Sequence, residues 1–178
     1  MVAVLLPSTS RQRASDPARG PPVLSTVALR NQPLRVASGE PILVVENPRL
    51  VEAAAECRLP AAVLCTNGNP TIAPTEAINA LHNSGAWLRY QGDFDGPGLA
   101  MTARAMGLGC TPFLMSSLEY GVAVAAAAAE GIGLPIDNRP VPETPWDPGL
   151  SRAFAQHRLI VHEERVMTQV LTAHAKSN

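Results

Sequence analysis

Residues 40–65 read EPILVVENPRLVEAAAECRLPAAVLC, and the punctuation of this stretch decides the fold. An apolar run from Ile42 to Val45 is stopped by Glu46-Asn47-Pro48. A helical stretch follows from Arg49 to Cys57, and a second apolar run spans Ala61 to Cys65. Short, β-branched, continuous runs bounded by turn residues read as strands buried on both faces, and a helix between two of them is the crossover of a parallel pair. The unit repeats downstream. Thr66 to Pro70 is a turn, Thr75 to Ser84 carries Ile78 and Leu81 at helical spacing, and Trp87 to Tyr90 is a third strand. After the loop Gly92-Asp93-Phe94-Asp95-Gly96, Pro97 stands where a helix starts, with Leu99, Met101 and Met106 behind it. Pro112 to Met115 predicts a fourth strand, Leu118 to Glu130 an alanine-rich helix, 131–149 an ordered Gly/Pro loop, and Pro148 to His174 one or two closing helices. The expected fold is α/β, a mostly parallel, Rossmann-like sheet of about four strands flanked by helices.

A chain of 178 residues is one domain's worth. Residues 7–22 hold Pro7, Pro17, Pro21 and Pro22 among Ser, Arg and Gly, a composition that cannot bury enough apolar surface to fold alone. The expected organisation is a flexible leader over 1–22 and one α/β domain over 23–178. Between Val23 and Val36 the pattern is strand-like, an edge strand or the tail of a preceding domain. The opening MVAVLLPS lacks a basic n-region and a small-residue cleavage site, so it does not read as a signal peptide. The apolar stretch from Gly121 to Gly133 is mostly alanine and too short to span a bilayer, so no membrane association is expected. Three widely spaced cysteines, Cys57, Cys65 and Cys110, read as reduced, buried thiols of a cytoplasmic protein.

Charge excludes several chemistries. Fourteen basic against fifteen acidic residues give a net charge of −1, which lacks the basic excess of a general polyanion binder. Lys176 is the one lysine, so neither a Walker-type phosphate loop nor Schiff-base catalysis in the body of the fold is available. With Phe 3, Trp 2 and Tyr 2, base stacking on aromatic side chains is not expected to dominate any nucleic-acid contact.

What remains is a set of carboxylates. In a parallel sheet the loops at the C-terminal edge of the strands are free to carry functional side chains. Glu46 ends the first strand, and Asp93 and Asp95 follow the third. Alternate residues of a tight loop can direct two carboxylates to one point, and a third acid from a neighbouring strand end completes an oxygen site for a hard cation such as Mg²⁺ or Mn²⁺. Next to a phosphodiester, such an ion suits phosphoryl transfer or hydrolysis. Taken alone, a glycine-flanked D-x-D is also an ordinary polar turn with self-capping aspartates.

The motifs carry a resemblance. Val-Val-Glu-Asn-Pro at 44–48, Cys-Thr-Asn-Gly at 65–68 and Gly-Asp-Phe-Asp-Gly-Pro-Gly at 92–98 resemble the Toprim fold family. More narrowly, they resemble the C-terminal Toprim domain of JetD-type subunits of the Wadjet plasmid-defence systems, encoded with condensin-like complexes and related to the topoisomerase VI A subunit. The resemblance implies that Glu46, Asp93 and Asp95 are metal-binding, catalytic acids, with Asn47, Gly68 and Gly92 as supporting loop residues. It implies that Gly68 stands where a side chain would crowd the neighbouring site. The expected activity is Mg²⁺- or Mn²⁺-dependent hydrolysis of DNA, as an endonuclease or nickase. The expected partners are DNA, condensin-like complex subunits and a possible second copy of the chain, in the bacterial cytoplasm. Glu46 would share a metal or serve as general base, and Arg49, Arg89 and Arg104 are candidates for phosphate contacts. No tyrosine-bearing winged helix is present, so covalent attack is not expected, and Tyr90 and Tyr120 read as packing residues. The alternative is a truncated, non-catalytic Toprim-like module that docks onto such a complex.

Other readings compete less well. Asp-Phe-Asp-Gly at 93–96 also resembles the nucleophile motif of haloacid-dehalogenase-type phosphatases, but Pro97 replaces the expected Thr and the lysine that chemistry needs is absent from the body of the chain. Glu163 and Glu164, beside His157 and His162, read as a solvated charged helix face in preference to a further set of ligands. His82 in a helix-to-strand connection and His174 near a frayed end read as unremarkable.

Overall fold

The computed structural model describes residues 2–5, 23–68 and 71–177. Its elements are β1 (Val2–Leu5), β2 (Val23–Leu24), α1 (Thr26–Asn31), β3 (Pro41–Val45), α2 (Pro48–Glu56), β4 (Ala62–Cys65), α3 (Ile72–Asn83), β5 (Trp87–Tyr90), α4 (Gly96–Gly107), β6 (Thr111–Pro112), α5 (Ser117–Ala129), α6 (Pro148–His157) and α7 (Glu163–Ala175). One six-stranded sheet runs β2-β1-β4-β3-β5-β6. The pairs β4–β3, β3–β5 and β5–β6 are parallel, and β1 lies antiparallel to both β4 and β2. The fold is thus α/β and Rossmann-like, with a mostly parallel sheet flanked by seven helices. No described helix is long and apolar enough to cross a membrane.

The period of two along the strands sorts the core into two layers. Ile42, Val44, Ala62, Leu64, Leu88 and Tyr90 face α3 and α4 through Ala77, Ile78, Leu81, Met101 and Ala105. Leu43, Val45, Val63 and Cys65 face α2 and α7 through Leu50, Val51, Ala54, Val170 and Leu171. Every residue of β3 is buried, which is why its sequence shows no polar alternation. Past the β6 edge, Phe94, Tyr120, Leu150, Phe154 and Val161 form a third cluster that seats α5 and α6. Phe94 and Val161 exchange backbone hydrogen bonds of 2.9 and 3.2 Å, and the buried Tyr120 hydroxyl donates to the Leu159 carbonyl at 2.9 Å. The loop after β5 is therefore clamped to the segment that leads into α7. Tyr90 and Tyr120 are both fully buried, as packing residues should be.

Several expectations are corrected. Among the described residues the sheet has six strands where about four were expected, because Val2–Leu5 and Val23–Leu24 add an antiparallel edge. β1 pairs with Val63–Cys65, a partner that only tertiary structure supplies; residues 6–22 lie outside the described residues. In the Val23 to Val36 stretch, only Val23–Leu24 is a strand. The Ser25 hydroxyl then accepts from the Ala28 N–H at 3.2 Å and starts α1, which buries Leu29. The strand expected over Pro112 to Met115 is reduced to Thr111–Pro112, and Leu114 at φ +52 turns the chain away from the ladder. Cys65 and Cys110 are buried, with thiols pushed up to about 12 by burial, whereas Cys57 at the end of α2 is exposed. His174 is not in a frayed end. It is fully buried, its Nε2 lying 2.9 Å from the Ala62 carbonyl, and burial holds its pKa down.

Arg89 and Arg49, both expected to meet phosphate, are engaged elsewhere. Arg89 is only 4% exposed, with its guanidinium 3.8 Å from the Trp87 ring centroid and 5.0 Å from that of Phe113. Arg49 pairs with Glu52 and Glu56 along its own helix.

Asp147 joins α5 to α6. Its Oδ2 accepts from the Ser117 N–H at 2.6 Å and its Oδ1 from the Gly149 N–H at 2.8 Å, so one carboxylate caps two helices. The Ser117 bonds, with those to Gly149 and Leu150, hold its carboxyl below the ordinary carboxylate range against the opposing effect of burial. Asp147→Ala is expected to lower stability by about 1–2 kcal/mol in denaturant unfolding at neutral pH. A depressed folded-state pKa means a contribution that is present above the unfolded pKa and lost as pH falls through the folded value. The gap between wild type and variant should close on acidification, and a gap independent of pH would refute the assignment.

Candidate metal centre

The strand order places the sequence's acids at a specific point. β3 leaves through α2 on one face of the sheet and β5 leaves through α4 on the other, so the C-terminal ends of these neighbouring strands open a crevice where connections diverge. In doubly wound sheets this switch point is where ligands bind. Glu46 stands at the end of β3, and Asp93 and Asp95 stand just past the end of β5.

Each acid is also part of the scaffold. Asp95 is the N-cap of α4, its Oδ1 accepting from the Gly98 N–H at 2.7 Å, while its Oδ2 pairs with the Arg139 guanidinium at 2.9 Å. Asp93 caps a remote helix: its Oδ1 accepts from the Glu163 N–H, the first residue of α7, at 2.6 Å. Its Oδ2 lies 3.1 Å from His162 Nδ1, and this contact, more than any other, raises the His162 pKa. Glu46 is half buried, and burial first, then Asp93 and Asp95, push its carboxyl up to about 7. Asn47 caps α2 through Arg49 N–H at 2.9 Å.

The glycines define the cradle. A Cβ on Gly92 would stand 3.2 Å from Tyr90 Cε1, 3.3 Å from Glu46 Oε2 and 3.6 Å from Tyr90 Oη. A side chain at position 92 would crowd both Tyr90 and the Glu46 carboxylate. Gly68 differs from expectation: nothing lies within 4 Å of its Cβ position, and glycine is favoured there by φ +83. In that conformation its N–H reaches the Glu46 carbonyl at 3.1 Å.

The side chain that sequence reasoning missed is Glu163. Expected on a solvated face, it is completely buried. Its Oε1 accepts from the Glu46 N–H at 3.2 Å and its Oε2 from the Asn47 N–H at 2.7 Å. Burial raises its pKa well above the ordinary value, while those two amide bonds pull the other way. A signal was available in the spacing. Glu163, Val166, Met167, Val170, Leu171 and His174 recur at three- and four-residue steps, so Glu163 and His174 are the two ends of the α7 stripe that faces the sheet. Glu164, one residue on, is exposed and accepts from Asn47 Nδ2.

Asp93, His162 and Glu164 together present one ligand atom each, all within 4.8 Å of one another. Ligands of a cation bound at roughly 2.1–2.4 Å lie at most about 4.2–4.8 Å apart across the ion, so this spread fits a divalent cation. Two further polar atoms lack partners beside Gly92, the residue before Asp93. Glu46 Oε2 and the hydroxyl of the fully buried Tyr90 are buried without a hydrogen-bond partner, and both flank Gly92. The compact group thus centres on Asp93, joined by His162 and Glu164; Asp95 is held by Gly98 and Arg139.

Fold and site define an α/β domain with an acid-lined crevice at the switch point of a mostly parallel sheet. The chain belongs to the DUF2399 family, described as a protein of unknown function C-terminus, whose pattern matches residues 23–173. That span contains every acid discussed above. No curated protein matches the chain.

Glu163→Ala removes the acceptor of two main-chain amides and is expected to lower stability by roughly 2–3 kcal/mol in denaturant unfolding. Glu163→Gln keeps a carbonyl acceptor and is expected to lose less. Equal stability of wild type and the alanine variant would show that the amides at 46 and 47 do not depend on this carboxylate.

Proposed function

We propose that this domain hydrolyses DNA phosphodiesters with Mg²⁺ or Mn²⁺, as a Toprim-like nuclease subunit of an anti-plasmid, condensin-like complex. The observation that supports the reading is the Asp93–His162–Glu164 group just past the end of β5, whose ligand atoms lie within 4.8 Å of one another, with Glu46 at the end of the neighbouring β3. The Toprim and JetD-type assignment rests on the motifs at 44–48, 65–68 and 92–98.

Asp93, His162 and Glu164 would hold a cation, and the Glu46 carboxyl lies close enough to feel the charges of Asp93 and Asp95. When bound, a divalent ion supplies charge neutralisation at phosphoryl oxygens and acidifies a coordinated water. The protein's own part is positional. Glu163 fixes the backbone at 46 and 47, Gly92 admits the Glu46 carboxylate, and the Asp93 cap on α7 brings His162 and Glu164 to the crevice. Glu46 Oε2, buried and without a partner, takes the proton of the attacking water. A phosphodiester must approach a site rich in carboxylates, on a chain of net charge −1, with Arg89 buried and Arg49 paired along its helix. DNA is therefore held mainly by partner subunits or a second copy of the chain, which supply the basic surface.

One observation favours the non-catalytic docking module: both Asp95 oxygens are already engaged. Calorimetry and plasmid nicking separate the two readings. Wild type is expected to bind Mn²⁺ more tightly than Mg²⁺, because an imidazole among the ligands suits the softer ion. Asp93→Asn keeps an acceptor for the α7 cap, yet is expected to lose at least about tenfold in Mn²⁺ affinity and, with it, nicking of supercoiled plasmid. A folded wild type that binds neither ion at millimolar concentration favours the docking module.

A further inference from the structure

Arg89 is a buried charge without a counter-charge. It stands in β5 between Leu43 of β3 and Thr111 of β6, and it is 4% exposed. An arginine so deeply buried is ordinarily paired with a carboxylate. Among the described residues no carboxylate lies within ion-pair distance of Arg89, and its NH1 is buried without any hydrogen-bond acceptor. The Trp87 and Phe113 rings, with centroids 3.8 and 5.0 Å from the guanidinium carbon, attract the charge but accept none of its in-plane N–H groups. His174, whose ring packs edge-on to Phe113 at 6.3 Å, offers no negative charge either. Its Nε2 lies against the Ala62 carbonyl and therefore carries the hydrogen, and its Nδ1 is a second buried polar atom without a partner. Burial works against the charge on Arg89, and nothing in the described chain offsets it.

The missing acceptor therefore comes from outside. The way in passes Trp87, which is 50% exposed although it covers the guanidinium. An exposed indole over a buried arginine is the pairing that anchors protein–protein interfaces, where tryptophan and arginine carry a large share of the binding energy. With its face stacked on Trp87, the guanidinium offers its edge, the geometry that a carboxylate meets with two parallel bonds. The opening is narrow, so a flat carboxylate on a flexible side-chain stem enters where a phosphodiester on a stiff duplex does not. We propose that Trp87 and Arg89 form a docking site for an acidic segment of a partner protein, an Asp or Glu carboxylate accepting from the Arg89 edge and a neighbouring apolar side chain covering Trp87. The site is independent of the candidate centre: Trp87 opens β5, and Asp93 lies past its other end. The free chain carries the unpaired charge at a cost in stability, as functional groups often do, and the partner's carboxylate offsets it.

The probe is a fluorescein-labelled hexapeptide of alternating Glu and Leu, compared with its Gln counterpart and followed by anisotropy on the full chain. General electrostatics do not favour the acidic peptide, because the chain has a net charge of −1. Wild type is expected to bind the Glu peptide at least about tenfold more tightly than the Gln peptide, and sodium acetate is expected to displace it better than sodium phosphate at equal ionic strength. Arg89→Met, an apolar side chain of similar length, is expected to lose the preference for Glu. Arg152→Gln, which removes an exposed charge on α6, is expected to keep it. Because Arg89 is buried, the two peptides on wild type form a test that needs no variant: equal binding of both overturns the inference. So does an Arg89→Met protein that still prefers Glu. Displacement by phosphate as effective as that by acetate overturns the assignment to a carboxylate.

Discussion

The Glu163 carboxylate is the joint on which the candidate centre depends. It accepts from the amides of Glu46 and Asn47, and its own amide donates to Asp93. One residue thereby ties together the end of β3, the start of α2, the loop after β5 and the start of α7. A carboxylate in a fully buried position is tolerated only when its oxygens are satisfied, and here main-chain donors satisfy them. Main-chain donors matter for a second reason: they fix backbone, not side chain, so the Glu46 side chain stays available to the crevice.

The same economy runs through the other acids. Asp95 caps its own helix, Asp93 caps a helix about seventy residues away, and Asp137 supports the first turn of α4 through Gly96. A helix N-terminus carries partial positive charge, so each cap lowers the free energy of concentrating carboxylates in one place. The acid-rich crevice is thus assembled from groups that the fold needs for local reasons. The third core cluster completes the arrangement, because the Phe94–Val161 backbone pair sets the distance between the D-x-D loop and α7.

The β-α punctuation from Glu40 to Tyr90 was legible in the sequence because buried strands, turn residues and helix starts are local signals. Glu46, Asp93 and Asp95 were legible for the same reason: each ends or follows a strand. The N-terminal strand was not, since four residues of Val-Ala-Val-Leu become a strand only beside Val63–Cys65. Glu163 was misread because a charged side chain carries a strong prior for solvent. Its place on the α7 stripe outweighs that prior only once Glu46 and Asn47 are known to offer amides there. Arg139 escaped notice altogether, because the loop that carries it is ordered by contacts with residues 158–160, which no local pattern announces.

The division of the thiols gives the molecule a single chemically addressable point. Cys65 and Cys110 are sealed in the core with pKa values of about 12, while Cys57 is exposed. Cys57 closes α2, whose other end begins beside Glu46 and Asn47. A maleimide-linked spin label or fluorophore added to the unmodified chain would therefore attach at one known place, a helix length of about 14 Å from the crevice. Distances and motions at the switch point become measurable without first removing any cysteine.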